Sequence, residues 1–169
     1  MNFDGKIILI RHGENMIDDS ISNNLLPLSE FGKKQAYEAF QTLKGQFDVV
    51  ISSPSKRAMM TAHIISPDSK ILCDKRLLER GWGNEKQDGL ESDHDAKQRI
   101  KSFLIEYMKA YPNKKILFVT HGGLMILMQE VIEGKIMERG SVGNCDIIEY
   151  SFNHKKIMKN KINSRNISC

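Results

Sequence analysis

The sequence predicts an α/β fold, a three-layer α/β/α sandwich around a mostly parallel central sheet, and three observations carry that prediction. Short apolar runs of strand length recur at Lys6 to Ile10, Asp48 to Ser52 and Lys115 to Thr120. Their near-continuous apolar character suits strands buried on both faces, as in parallel sheets. A polar turn and then a segment of helical periodicity follow each one.

Lys6 to Ile10 leads straight into Arg11, and the stretch to Leu28, with Asp18, Asp19, Ser20, Asn23, Asn24 and Pro27, has loop chemistry. Ser29 is placed to cap a helix whose Phe31, Ala36, Phe40 and Leu43 recur at helical spacing, and Gly45 is placed to end it. After the second strand and Pro54, Ser55 to Ile65 reads as a helix with Ala58, Met59, Ala62 and Ile65 inward. Lys70 to Cys73 suits a short third strand, and Arg76 to Leu90, without clear periodicity, reads as a functional loop. Ser92, Asp93 and Asp95 open a helix with Ile100, Phe103, Leu104, Tyr107, Met108 and Tyr111 on one face, and Pro112 stops it. Lys115 to Thr120 is a buried strand, His121, Gly122 and Gly123 read as a turn, and Leu124 to Ile132 as a largely buried helix. Ile147 to Phe152 and Ile157 to Ile162 suggest a closing hairpin joined by Asn153 to Lys156. No repeat or low-complexity linker divides the chain, so residues 1–169 are expected to form one domain.

A hydrophobic share of 40% and a charged share of 27% fit a globular chain and argue against disorder or a fibrous repeat. Cys73, Cys145 and Cys169 are odd in number and widely spaced, which suggests neither a disulfide framework nor a zinc site and points to a reducing, cytoplasmic setting. No stretch approaches the ~20 apolar residues that span a bilayer, so no membrane partner is expected. The net charge of +4 comes from the end of the chain, where Lys155, Lys156, Lys159, Lys161 and Arg165 stand without an acid. The rest is close to neutral and the tail alternates like a solvated strand, so no nucleic-acid partner is expected.

Three strands end in reactive polar residues: Arg11 and His12 after the first, Ser52, Ser53 and Arg57 after the second, His121 and Gly122 after the fourth. Ligands of open α/β sheets bind at that edge. Two arginines, two histidines and helix N-termini gathered there suit an anion with several oxygens, phosphate above all. Asp93-His94-Asp95 is better read as a helix start than as metal ligands, because consecutive residues rarely converge on one ion. GxGxxG and P-loop patterns are missing, which argues against a nucleotide cofactor.

Arg11-His12-Gly13-Glu14 after a first strand resembles the signature of the histidine phosphatase, or phosphoglycerate mutase-like, superfamily. Four more segments agree in order: Pro27 to Gly32, Ser52 to Ala58 with Thr61-Ala62, Leu77-Leu78-Glu79 ahead of Gly83 and Gly89, and Val119 to Gly123. The resemblance implies hydrolysis of phosphomonoesters through a phosphohistidine at His12, without metal or other cofactor. Arg11, Arg57, His121 and Gly122 would hold the phosphate, and Glu79 would serve as general acid, with Glu14 and Asp18 as the other carboxylates in reach of that role. Glu14 could instead brace the loop that holds the arginines. Asn15 stands where the family commonly has threonine or serine, and Asp18 where it commonly has asparagine; with Trp82 these are candidate substrate contacts. A small phosphorylated metabolite is the expected partner, with a phosphoprotein as another. A mutase and a phosphate-binding scaffold are the alternative readings; the short stretch from Arg76 to Asp93 argues against the mutase.

Overall fold

The computed structural model describes residues 3–44, 46–80, 91–137, 140, 142–153 and 156–162. Six strands, β1 (Lys6–Arg11), β2 (Val49–Ser52), β3 (Ile71–Cys73), β4 (Lys115–Thr120), β5 (Ile147–Asn153) and β6 (Lys156–Ile162), form one sheet in the order β3-β2-β4-β1-β5-β6. The four on the β3 side are parallel, and β5 and β6 are antiparallel to their neighbours. The mostly parallel expectation holds, with the closing hairpin as the antiparallel part.

Alternate strand residues feed opposite faces, which is why these strands carry apolar residues at successive positions. Ile7, Leu9, Ile116, Phe118 and Tyr150 pack against α3 (Asp93–Ala110) and α4 (Gly122–Glu133), through Ile100, Phe103, Leu104, Leu124 and Met128. Ile8, Ile10, Val50, Leu117 and Val119 pack on the other face against α1 (Glu30–Leu43) and α2 (Lys56–Ile65), through Ala36, Ala39, Ala58, Ala62 and Ile65. Helices on both faces of the sheet make three layers.

The Ser29 hydroxyl accepts from Gly32 N and caps α1, and Ser92 caps α3 by accepting from Asp95 N. Asp93 and Asp95 therefore stand in the first turn of α3, where negative charge is favoured. Two expectations change. Phe31 is 56% exposed, because the buried stripe of α1 starts at Gly32 and runs through Ala36, Ala39 and Leu43. Gly122 and Gly123 are not a turn but the first residues of α4, with His121 as the N-cap. First-turn residues donate no intrahelical bond, so glycine does not weaken the ladder there, and their amides stay free for other acceptors. α1 ends at Lys44, in the left-handed region at φ 54°; the expected stop, Gly45, lies outside the described residues. Among the described residues no helix is long and apolar enough to cross a membrane.

Candidate active site

The carboxyl ends of β1, β2 and β4 bring the predicted residues together. His12 N donates to Thr120 O at 3.0 Å, and Cys145 N donates to Arg11 O at 3.1 Å, so Arg11 and His12 are held by backbone on both sides. Asn144 Nδ2 adds a bond to His12 O at 3.2 Å. Next to them Gly13 N donates to Thr61 Oγ1 at 3.1 Å, which ties the turn to α2. A Cβ on Gly13 would run into the backbone of Gly32, and one on Gly32 into that of Glu14, so this crossing of the β1 turn over α1 needs both glycines.

Arg57, in the first turn of α2 and buried, connects the two histidines. Its Nε donates to His12 Nε2 at 3.0 Å and its Nη2 to His121 Nδ1 at 3.3 Å. A guanidinium only donates, so each ring nitrogen it meets is an acceptor carrying a lone pair. The proton of His12 then lies on Nδ1, 2.7 Å from Gly13 O, and that of His121 on Nε2, 2.9 Å from Ser53 Oγ. Both rings are neutral. Burial, and then the Arg57 and Arg11 charges, lower the His12 pKa to about 3 against the partial opposition of the Gly13 carbonyl. Burial, followed by His12, Arg57 and Arg11, drives His121 well below the ordinary histidine value. The rings meet edge to face with centroids 5.0 Å apart. Arg57 Nη1 is held by the backbone and side-chain oxygens of Asn23, in the short 3₁₀ turn Asn23–Leu25.

Arg11 Nη1 donates to Val142 O at 2.5 Å, while its buried Nε has no hydrogen-bond partner. A buried donor left unpaired is costly, and an oxyanion would satisfy it. The side chain runs past Gly122, where an added Cβ would lie in ordinary contact with it.

Glu79 follows the 3₁₀ turn Lys75–Leu77 and lies across the start of α4. Its Oε2 accepts from Gly123 N and its Oε1 from Leu124 N, both at 3.1 Å, and Oε1 also accepts from Arg80 N at 3.0 Å. The carboxylate thus lies against the first turn of α4, and its charge is felt by Arg57, where it opposes the lowering of the guanidinium pKa by burial. The other two carboxylates are engaged elsewhere. Glu14 Oε1 accepts from Ser29 Oγ at 2.7 Å and its backbone bonds Gln35 and Ser29, a brace between the β1 turn and α1. Asp18 is half-buried and accepts from Ser20 N and Oγ, at 2.9 and 2.6 Å. Asn15 donates to Met16 O at 2.7 Å and bridges to Leu28. Trp82 lies outside the described residues.

Arg11, His12, Arg57, His121, Gly122 and Glu79 therefore share one site, and Asn15 and Asp18 stand on the segment that flanks it. Sequence reasoning named Ser53 and Thr61 without assigning them a role, and it gave Asn23 and Asn144 no part in the site. Asn23 and Asn144 act across loops and leave no spacing to read. No group of three or more His, Cys, Asp or Glu that could hold a metal ion occurs among the described residues.

Comparison with known proteins agrees. The chain is 28% identical over 149 residues to the uncharacterized phosphatase PhoE of Bacillus subtilis, over 76% of this chain and 77% of that one. The fold is similar to a phosphoserine phosphatase variant of Entamoeba histolytica in complex with phosphoserine, with a TM-score of 0.79 and 24% identity over 95% of this chain and 98% of that one. It is similar also to mycobacterial glucosyl-3-phosphoglycerate phosphatase, with a TM-score of 0.76 and 20% identity over 93% and 96% of the two chains. The model of the histidine phosphatase superfamily (branch 1) matches residues 7–87 and 79–165, nearly the whole length, and the chain belongs to that superfamily.

Proposed function

We propose that this protein hydrolyses phosphomonoesters through a phosphohistidine on His12. The observation that carries the reading is the Arg57 guanidinium donating to a ring nitrogen of each histidine, which fixes a lone pair on His12 Nε2 and surrounds it with positive charge. Arg11, Arg57 and the Gly122 amide at the start of α4 bind the phosphoryl oxygens, and one of those oxygens takes over the Arg57 Nε donor and releases the lone pair. His12 Nε2 attacks phosphorus, the P–O ester bond breaks, and the leaving oxygen keeps the electron pair and takes a proton from Glu79. A water then attacks phosphorus, Glu79 removes its proton, and the P–N bond breaks with its electrons returning to Nε2. The cationic work is done by arginines, so no step requires a metal or organic cofactor.

The segment carrying Asn15 and Asp18 supplies Asn23 to Arg57, and we assign it contacts with the leaving group, together with Trp82 on the strength of the sequence. A small phosphorylated metabolite is the substrate class this reading favours, in line with the phosphoserine bound by the amoebal relative in fold. We assign the protein a cytoplasmic setting, a reading supported by the free Cys73 and Cys145.

The test is hydrolysis of p-nitrophenyl phosphate in the presence of chelator by the wild type and by His12→Ala, with acid-labile phosphoenzyme trapped in the same samples. Turnover and a trapped phosphoenzyme, both abolished by the substitution, are expected. A folded wild type that binds phosphate but neither turns over nor traps it overturns the reading in favour of a scaffold, and phosphoenzyme without turnover overturns it in favour of a mutase.

A further inference from the structure

Arg99 lies in the second turn of α3, with a side chain only 20% exposed. Its Nη1 donates to Arg76 O and its Nη2 to Leu78 O at 3.0 Å. The carbonyl between these two, Leu77 O, accepts from Thr120 Oγ1 at 2.8 Å. Three successive carbonyls ahead of Glu79 are thus held by side chains, one of them from the residue before His121. The far side of the same guanidinium pairs with Glu91, Nε to Oε1 at 2.5 Å and Nη2 to Oε2 at 2.6 Å. That two-point pairing sets the plane of the fork, and the plane sets where the Arg76 and Leu78 carbonyls must lie.

We infer that Arg99 is a positioning residue for Glu79, holding the backbone that aims the carboxylate at the leaving oxygen; this rests on the reading of Glu79 as the acid. The arrangement costs four donors of one side chain, and two of them go to carbonyls within three residues of Glu79. Lysine carries the charge but lacks the planar fork, so it cannot reproduce the two-point pairing with Glu91 that sets where the carbonyls lie. A carboxyl displaced by about 1 Å loses its hydrogen-bond line to the leaving oxygen, which matters in proportion to how badly that oxygen needs a proton.

The experiment compares p-nitrophenyl phosphate, whose leaving oxygen needs little protonation, with n-propyl phosphate, whose alkoxide needs a full proton. Arg99→Met, Arg99→Lys, Glu79→Gln and the Glu79→Gln/Arg99→Met pair are assayed, with thermal melts as a check on folding. Both Arg99 variants are expected to lower kcat/KM for the propyl ester about 30-fold and for the nitrophenyl ester less than about 3-fold. The double variant is expected to be no worse than Glu79→Gln, because Arg99 acts through that carboxyl. Equal loss on both esters, additive loss in the double variant, or no loss overturns the positioning role. If Arg99→Met does not fold, Arg99→Lys decides alone. A Glu79→Gln variant indifferent to the leaving group overturns the acid reading and the Arg99 role with it; leaving-group dependence in Glu79→Gln but not in the Arg99 variants overturns only the latter.

Discussion

The phosphate side of the site and the acid side are built differently. Arg11, His12, Arg57 and His121 stand directly at strand ends or in the first turn of a helix, held by the sheet ladder and by one another. Glu79 stands beyond a short 3₁₀ turn, aligned by Thr120, Arg99 and the amides of α4. The first arrangement follows from the parallel sheet itself, because strands β1, β2 and β4 end at a common edge. The second is attached to that edge by side chains. Damage to the phosphate side should therefore be felt alike by every substrate, and damage to the acid side in proportion to the demands of the leaving group.

The largest effect tests the first half of that contrast. Arg57→Ala removes the donor shared by both histidines and is expected to lower kcat/KM about 10³-fold for nitrophenyl and propyl phosphate alike; a loss that differs between the esters would break the comparison. Glu79→Gln should cost about 10²-fold on the propyl ester and little on the nitrophenyl ester, read as the slope of log kcat/KM against leaving-group pKa. Stability should also follow pH through the histidines. Burial and the neighbouring arginines hold His12 at about 3 in the folded chain, against an ordinary histidine value of ~6.5 when unfolded, and His121 is shifted the same way. The unfolded chain then binds more protons below pH 6.5, so this contribution is intact above 6.5 and is lost progressively as pH falls towards 3. Urea denaturation at pH 5 should show about 2 kcal/mol less stability than at pH 7 from His12 alone, and His12→Asn should lessen that slope by about this amount. The smallest change is Ser53→Ala, which deprives His121 Nε2 of its 2.9 Å acceptor and should lower kcat about 10-fold on both esters.

The sequence reveals the phosphate side more fully than the acid side for the same physical reason. Strand runs, caps and the residues right after strand ends leave local patterns, and Arg11, His12, Arg57 and His121 all occupy such positions. Ser29 and Ser92 announce their helices because capping is a local bond. Glu79 is indicated by resemblance to a known loop, and nothing in its immediate neighbours shows that it would reach the amides of α4. Arg99 is invisible: it sits in an ordinary amphipathic helix, and two of its partners are backbone carbonyls that carry no residue identity. Phe31 misleads because the buried stripe of α1 steps through Gly32, Ala36, Ala39 and Leu43, which leaves the phenylalanine one position off it.

β1 comes first among the strands yet lies inside the sheet, paired with β4 and β5. The partners that fix Arg11 and His12 include Thr120, Val142, Asn144 and Cys145. During synthesis His12 is therefore made well before the segments that set it in place. A growing chain carries His12 without the surroundings that fix it, and those surroundings close only when the segment leading into β5 has emerged and folded back. Pairings across so long a stretch of chain also form late and slowly, so the appearance of phosphoenzyme during refolding would report completion of the fold rather than its beginning.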